Sequence, residues 1–379
     1  MKEDNMKQSW EIKKLGEVCE ILDHLRVPIT KKDRREGCYP YYGASGVQDY
    51  IDSYIFDGRY LLVGEDGAKW GPNDKSAYII EGKSWVNNHA HILKINECLS
   101  DKLVEYYLVA KDLQEFITGA IVPKLTQQAL KNIPIPVPPL PVQEQIVSEL
   151  DLLSGIIEKK REQLKELDAL AQSIFYDMFG DPITNEKGWE VDKLGNMCDI
   201  SSSKRIYAHE YCEGGIPFYR GKEITEKGKG NEISIELYIS EERYYELKDK
   251  YGVPKIGDIL ITAVGTIGNI WVVDNDSPFY FKDGNVLWLQ AKENINSIYF
   301  KSLLYNLIDK YKESMANGCA YSALTIVNLK EMLTNKIPLP LQHQFATKIE
   351  AIEKQKELIK QSISETETLF NARMQHYFN

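Results

Sequence analysis

The chain has 379 residues, of which 43% are hydrophobic, and this is enough for two or three domains that each have a core. No apolar run is long enough to cross a bilayer and the first ten residues are polar and charged, so we expect a cytoplasmic protein without a membrane partner. The six cysteines show no Cys-x-x-Cys pair and no His/Cys ligand spacing, which predicts reduced thiols and no metal site.

The formal net charge of −10 argues at first against a nucleic-acid partner, but the charge is unevenly distributed. Residues 142–180 carry eight acidic and four basic side chains. Residues 26–35 show the opposite balance, with five cations beside the single acid Asp33: Arg26, Lys31, Lys32, Arg34 and Arg35. An acidic helix joined to locally basic domains is compatible with DNA binding.

The first globular domain, residues 1–141, is predicted to mix strands and helices. Short β-type runs at 60–63, 77–80 and 89–95 are bounded by turn residues. Ser100 is predicted to cap a helix that extends to about residue 118, and Thr126 to cap a shorter one. The proline-rich residues 133–141 are predicted to form a stiff, extended connector.

A long coiled-coil helix is predicted at residues 142–180. Apolar residues recur there at alternating steps of four and three, with one polar exception: Ile146, Leu150, Leu153, Ile157, Lys160, Leu164, Leu167, Ala171, Ile174 and Met178. At about 1.5 Å per residue such a helix spans roughly 55 Å. Gly180 and Pro182 predict its end.

The whole plan occurs twice. Trp10-Glu11 returns as Trp189-Glu190, a shift of 179 positions, and Leu125 returns as Leu324, a shift of 199. The second domain is therefore predicted at 181–340, with Asn296 capping its counterpart helix, and a second long helix at 341–379. Its heptad positions are Phe345, Ile349, Ile352, Lys356, Ile359, Ile363, Thr366, Phe370, Arg373 and Tyr377. The predicted fold class is α+β, with two similar domains joined by two long antiparallel coiled-coil helices in an internal pseudo-twofold repeat.

The duplicated order of motifs resembles the specificity subunit of a type I restriction-modification system. The local signatures are Lys14-Leu15-Gly16 after a tryptophan, the glycine-rich 64–68, the segment 88–93 and the Pro-x-Pro and Gln-x-Gln segments that open each long helix. The resemblance implies a non-catalytic subunit whose two domains each bind half of a bipartite site in double-stranded DNA. It also implies that two modification (methyltransferase) subunits dock on the helices and that restriction subunits join the assembly. No cofactor is expected on this chain, while S-adenosylmethionine, ATP and Mg are expected on the partner subunits.

DNA recognition needs cations for phosphates and planar donors and acceptors for base edges. In the first domain the candidates are Arg26, Lys31, Lys32, Arg34, Arg35, Tyr41, Tyr42, Lys69, Trp70 and Lys124. In the second domain they are Lys204, Arg205, Tyr207, Arg220, Lys222, Lys282 and Tyr321. The coiled-coil residues that we expect to pair the helices and to support partner docking are Ile146, Leu150, Leu153, Ile157, Leu164, Leu167, Ile349, Ile352, Ile359 and Ile363.

Two further features have competing interpretations. The glycine-rich residues 64–67 and 265–268 each follow an apolar strand, and their amides could face a phosphate, although a structural turn is favoured. His89 and His91 would share a face of a strand, but the sequence places no carboxylate or cysteine partner at metal spacing, which favours a structural role.

Two alternative functions remain on the sequence alone. Asp66 followed by Glu81 and Lys83 resembles the acid and Glu-x-Lys pattern of metal-dependent nucleases, although the second domain lacks the pattern and such short patterns arise by chance. The other alternative is a coiled-coil adaptor that binds only proteins. There is no methyltransferase motif and no nucleotide-binding loop.

Overall fold

A computed structural model describes residues 10–292, 295–316 and 323–378. The chain divides into two compact units, the first comprising Met1–Glu162 with Ile359–Asn379 and the second Gln163–Leu358. The division lies inside both long helices, so each unit contains one globular domain and part of each helix.

The first unit contains ten strands, six of which form one sheet. Its strands are β1 (Glu11–Lys14), β2 (Cys19–Ile21), β3 (Glu36–Gly43), β4 (Gly46–Ile51), β5 (Phe56–Gly64), β6 (Ala77–Val86), β7 (Ala90–Ile95), β8 (Ile117–Thr118), β9 (Lys124–Leu125) and β10 (Pro134–Val137). The sheet has the order β2-β7-β5-β6-β3-β4, and β1 pairs with β10 and β8 with β9 outside it. The helices are α1 (Leu15–Val18), α2 (Asp101–Ala110), α3 (Gln127–Lys131) and the start of α4 (Leu140–Phe179).

The second unit repeats this plan with smaller sheets. Its strands are β11 (Val191–Lys193), β12 (Cys198–Ser202), β13 (Tyr211–Cys212), β14 (Ile216–Tyr219), β15 (Tyr238–Ile239), β16 (Ile259–Thr262), β17 (Ile270–Val272), β18 (Tyr280–Phe281), β19 (Val286–Ala291) and β20 (Leu333–Asn335). The orders are β12-β19-β16-β17 and β13-β15-β14-β18. The helices are α5 (Leu194–Met197), α6 (Gly221–Gly228), α7 (Glu241–Tyr251), α8 (Ser297–Ala316), α9 (Ile326–Glu331) and α10 (Leu339–Phe378).

The two long helices run antiparallel within each unit. In the first unit Arg373 of α10 forms an ion pair of 2.5 Å with Glu149 of α4. In the second unit Lys356 of α10 lies 2.8 Å from Asp168 of α4. The charged side chains at heptad positions 356 and 373 are therefore each paired with a carboxylate on the opposite helix.

The heptad residues lie between the helices and against the globular domains. Ile146, Leu150, Leu153, Ile157, Ile349 and Ile352 are buried, whereas Leu164, Leu167, Ile359 and Ile363 are partly buried. These side chains pack within the chain, so partner docking through them stays a prediction.

The predicted fold class is confirmed, with two local corrections. The connector at 133–141 contains strand β10, which pairs antiparallel with β1, and α4 already begins at Leu140. The helix that Ser100 caps ends at Ala110 rather than near residue 118. It ends early because Leu113 is fully buried and its amide donates to the carbonyl of Trp70, which requires a different backbone path.

No helix in the described residues combines the length and apolar content that a bilayer crossing requires. The five cysteines within the described residues are free, and Cys319 lies outside them.

Candidate nucleic-acid interface

The same backbone framework closes one end of the sheet in each unit. We call this region edge 1 in the first unit (residues 26, 42–44, 64–66, 87–90 and 124–125) and edge 2 in the second (residues 205, 219–222, 262–264, 282–286 and 323–324). Three amide-to-carbonyl hydrogen bonds of edge 1 have counterparts in edge 2. The Glu65 amide donates to the His89 carbonyl, as Ala263 does to Asn285, and the Leu125 amide donates to the Glu65 carbonyl, as Leu324 does to Ala263. The Asn87 amide donates to the Tyr42 carbonyl, as Lys282 does to Tyr219. Two unlike sequences therefore hold the same loops in corresponding places.

Edge 1 contributes to a mostly buried network of five titratable side chains. Arg26 Nη1 lies 2.5 Å from Glu65 Oε2, and Lys124 Nζ lies 2.7 Å from Glu65 Oε1. His91 Nδ1 lies 2.6 Å from Asp23 Oδ2, and Arg26 also lies 3.4 Å from Asp23. Both acids and the histidine are almost fully buried. Buried charges are tolerated when they are paired in this way.

The network keeps both carboxyl groups ionised. Burial alone would raise the pKa of Asp23, but the hydrogen bond and charge of His91 lower it below its usual value. Burial likewise opposes ionisation of Glu65, and hydrogen bonds from Lys124 and Arg26 lower its pKa overall. The pKa is lowered for both acids in the folded protein, so their ionised forms contribute stability at neutral pH.

Asp23, Glu65 and His91 also have the composition of a metal site, since each offers a ligand atom within 4.8 Å of the others. The sequence analysis identified no carboxylate partner for His91, because Asp23 and Glu65 are both distant from it in the chain. The ligand atoms are already used: His91 Nε2 lies 2.7 Å from the Leu125 carbonyl oxygen, and Glu65 accepts from two cations. Both ring nitrogens of His91 face an oxygen atom, Asp23 Oδ2 or the Leu125 carbonyl, so neither nitrogen is left open toward a metal ion. This arrangement fits an ion-pair network better than a metal centre.

His89 is different from His91 because it lies outside strand β7 and is half exposed. Its Nδ1 forms a short hydrogen bond with Asp66 Oδ1. The glycine-rich turn at 64–67, for which phosphate binding was the less favoured interpretation, uses its first two amides internally, since Gly64 donates to the Ser76 carbonyl and Glu65 to the His89 carbonyl. In the second unit Gly268 donates to Thr262. These contacts favour the structural interpretation of both turns.

The first-unit candidates fall into two groups. Lys31, Lys32, Arg35 and Lys69 are exposed, and Lys124 is partly exposed. The four exposed cations are available to a phosphate backbone, whereas Lys124 is paired with Glu65.

The other first-unit candidates are buried, partly buried or held by partners within the unit, so they are less accessible to DNA than the sequence suggests. Tyr41 is 1% exposed beneath the guanidinium of Arg34, which lies 4.1 Å from the ring centroid. Trp70 is buried and donates to the Gly64 carbonyl, while Tyr42 is partly buried in the core. Arg26 is held by the buried carboxylates. Arg34 itself lies 3.2 Å from Asp49 and is half-buried.

Edge 2 brings four cations close to two acids; Arg205 and Lys222 are exposed, and Arg220 and Lys282 are partly exposed. Arg205 and Lys282 lie 3.0 and 3.5 Å from Asp283. Lys222 and Arg220 each lie 2.7 Å from Glu236. Their hydrogen bonds lower the pKa of Glu236 to about 2.

Two aromatic contacts complete the described part of this region. The ammonium of Lys204 lies 4.7 Å from the ring centroid of Tyr251. The exposed Tyr207 stacks on His209 with a centroid separation of 5.8 Å. Tyr321, the remaining candidate, lies outside the described residues.

The predicted nuclease residues do not converge. Arg59 pairs with Glu81 and Val63 with Ala77 across strands β5 and β6, so Asp66 follows the opposite end of this strand pair from Glu81. Lys83 instead lies over the ring of Tyr54, at 4.6 Å. A metal-dependent nuclease needs these groups around one phosphate, so the nuclease alternative is not supported.

Sequence reasoning missed a pair of buried glutamines. Gln143 Oε1 accepts from the Ser100 amide at 2.7 Å and its Nε2 donates to the Cys98 and Pro138 carbonyls. Gln342 similarly accepts from the Asn296 amide at 2.9 Å. Each glutamine therefore attaches the first turn of a long helix to the start of a helix in the globular domain of its unit. The repeated Gln-x-Gln segment was the available signal.

Comparisons with known proteins match nearly the whole chain. The family model for the type I restriction modification DNA specificity domain matches residues 7–168 and 186–368. A Haemophilus influenzae protein, provisionally named a type I restriction enzyme specificity subunit, is 32% identical over 90% of this chain and 87% of its own length. The MjaVIII specificity subunit of Methanocaldococcus jannaschii is 24% identical over 89% and 86%. The crystal structure of a type I S subunit from M. genitalium covers 98% of this chain and 96% of its own, with a TM-score of 0.57 and 15% identity.

Proposed function

The chain belongs to the type I restriction modification DNA specificity family, and on that premise we propose that its two domains each read one half of a bipartite double-stranded DNA site. Its function is DNA-target recognition as a non-catalytic subunit. The observation that supports two separate readers is the shared framework of edges 1 and 2 with different side chains. A common scaffold presents different donors and acceptors, as two unlike half-sites require.

The exposed and partly exposed cations supply the phosphate contacts in this proposal. Lys31, Lys32 and Arg35 neutralise phosphates beside the first unit, and Arg205 and Lys282 do so at edge 2. Asp283 holds the latter two in place and is exchanged for phosphate when DNA arrives. Replacing a phosphate-contacting lysine should weaken all sequences alike, whereas replacing a base-reading residue should relax one position at a cost of about 1 to 3 kcal/mol.

The catalytic groups belong to the partners in this proposal. The long helices dock two modification subunits, and restriction subunits complete the assembly. S-adenosylmethionine, ATP and Mg bind on those partners. We place the complex in the cytoplasm, the compartment that holds DNA in the bacteria and archaea from which the relatives come.

Selection from random-sequence duplex DNA tests the proposal. The chain is titrated with and without its modification subunit at several salt concentrations, and the bound fraction is sequenced. We expect salt-dependent affinity and two short fixed blocks separated by a fixed number of arbitrary bases. Binding without salt dependence or enrichment would instead favour an adaptor that contacts only proteins.

A further inference from the structure

An exposed apolar tip extends from the hairpin of strands β8 and β9. The tip comprises residues 119–123, Gly-Ala-Ile-Val-Pro, and contains no charged or polar side chain. Ile121 is 95% exposed and Val122 is 62% exposed. Two adjacent aliphatic side chains presented this fully to water indicate a contact surface, because burying them on a partner is favourable.

The hairpin is firmly attached to edge 1. The Leu125 amide donates to the Glu65 carbonyl at 2.8 Å, and Asp66 and Lys124 form an isolated β-bridge. The side chain of Lys124 also belongs to the buried ion network through Glu65. The base of the hairpin is therefore fixed in place by both backbone and side-chain contacts.

The tip is tight as well as apolar. Gly119 has a φ of +95°, and a Cβ there would lie 2.3 Å from the Val122 carbonyl oxygen. Only glycine fits this close approach. The turn therefore directs Ile121 and Val122 outward rather than folding them back on the domain.

We propose that Ile121 and Val122 form an apolar wedge that contacts the bases of the half-site read by the first unit. This inference rests on the proposed function, because it takes the DNA to lie along edge 1. DNA is favoured over a protein occupant because the hairpin begins at that edge, beside Lys124 and the Asp66–His89 pair. The surfaces assigned to partner subunits are on the long helices instead. Aliphatic side chains contact thymine methyl groups or enter between base steps, and neither interaction needs a charge.

The test compares Ile121→Ser/Val122→Ser with wild type in the complex with the modification subunit. We expect about a tenfold loss of affinity for the selected DNA site, equivalent to about 1.4 kcal/mol. The slope of log affinity against log salt should stay the same, because no ionic contact is removed. Repeated selection should show relaxed bases in one block and an unchanged second block.

Ile12→Ser is the matched control. Ile12 is 61% exposed on β1, which pairs with β10 and not with the hairpin. The control should retain wild-type affinity and both blocks, and circular dichroism should show that both proteins are folded.

Three results would overturn the wedge. They are unchanged affinity and blocks in the double variant, an equal loss in the Ile12 control, or a loss of modification-subunit binding with DNA affinity preserved. The last result would assign the tip to a protein interface. Wild-type protein that shows no selective DNA binding would refute the proposed function itself.

Discussion

Edges 1 and 2 place an arginine at the same position and use it differently. Arg26 and Arg205 are separated by the 179-position shift, yet the side chain of Arg26 is 13% exposed and that of Arg205 is 65% exposed. In edge 1 the arginine is held by Asp23 and Glu65. The corresponding residues in the second unit are Ser202 and Ala263, which offer no buried carboxylate.

The difference extends to the centre of the network. His91 pairs with Val63 across the ladder, and the equivalent pair in the second unit is Leu287 with Ile261. One framework therefore tolerates a charged interior or an apolar one, provided that each is internally consistent. Whether a basic side chain is available to DNA depends on its buried neighbours and not on its place in the repeat.

The largest expected effect comes from breaking the network at the arginine. Arg26→Leu removes the one cation that contacts both buried carboxylates, leaving Glu65 with Lys124 and Asp23 with His91, and should reduce the free energy of unfolding by about 3 to 5 kcal/mol. Arg205→Leu removes an ion pair whose arginine is 65% exposed and whose carboxylate, Asp283, keeps Lys282 nearby, so it should cost less than about 1 kcal/mol. Urea denaturation of both variants measures the contrast. Similar losses at the two positions would contradict the distinction between the edges.

The long helices should show no such contrast between the units. Leu153→Asp and its equivalent Ile352→Asp each place a charge at a buried heptad position, so both should unfold the helix pair or block assembly with partners. Leu152→Asp is the matched control, because Leu152 is adjacent but 65% exposed. Size-exclusion chromatography and circular dichroism would show the result. Normal folding and assembly of Leu153→Asp would refute the assignment of the heptad.

The buried glutamines should also behave alike. Gln143→Leu and Gln342→Leu each leave a backbone amide without its side-chain acceptor, at a cost of about 1 to 3 kcal/mol. Thermal unfolding monitored for each variant gives the comparison. A loss of stability in only one of the two variants would show that the two glutamine attachments are not equivalent.

The smallest effect is a difference in acid sensitivity. The pKa of Asp23 is lowered in the folded protein, so its contribution is present above the ordinary carboxyl pKa of 3.8 and is lost as pH falls through the folded value. Asp23→Asn should therefore be less stable than wild type at pH 7, and the difference in the free energy of unfolding should become smaller below about pH 4. Ser202→Ala, at the equivalent position, should show a gap that does not change with pH. Denaturation curves at pH 7, 4 and 3 measure both, and a constant gap for Asp23→Asn would contradict the network.

Local signals in the sequence predicted much of the fold. Thr126 and Asn296 cap their helices as predicted, because a cap depends on residues only two or three positions away. The heptads identified the long helices for the same reason. Strand β10 was missed because its partner β1 lies more than a hundred residues earlier, and proline content alone does not reveal pairing.

The candidate site was less predictable. A sequence displays Arg26 and Arg205 as equal cations, and the 39-residue separation between Arg26 and Glu65 hides their ion pair. The burial of Tyr41 and Trp70 likewise depends on contacts between segments that are distant in the sequence. Which exposed side chain meets a base depends further on the shape of the DNA.

The most direct test of the central claim is a selection experiment on Lys204→Ala/Tyr207→Ala in the complex with the modification subunit, since these two exposed second-unit candidates carry no assigned phosphate contact. If each unit reads its own half-site on a common framework, the recovered DNA should lose information in one block while the other block and the spacing between them stay unchanged. Equal loss in both blocks, or a changed spacing, would contradict independent reading by the two units.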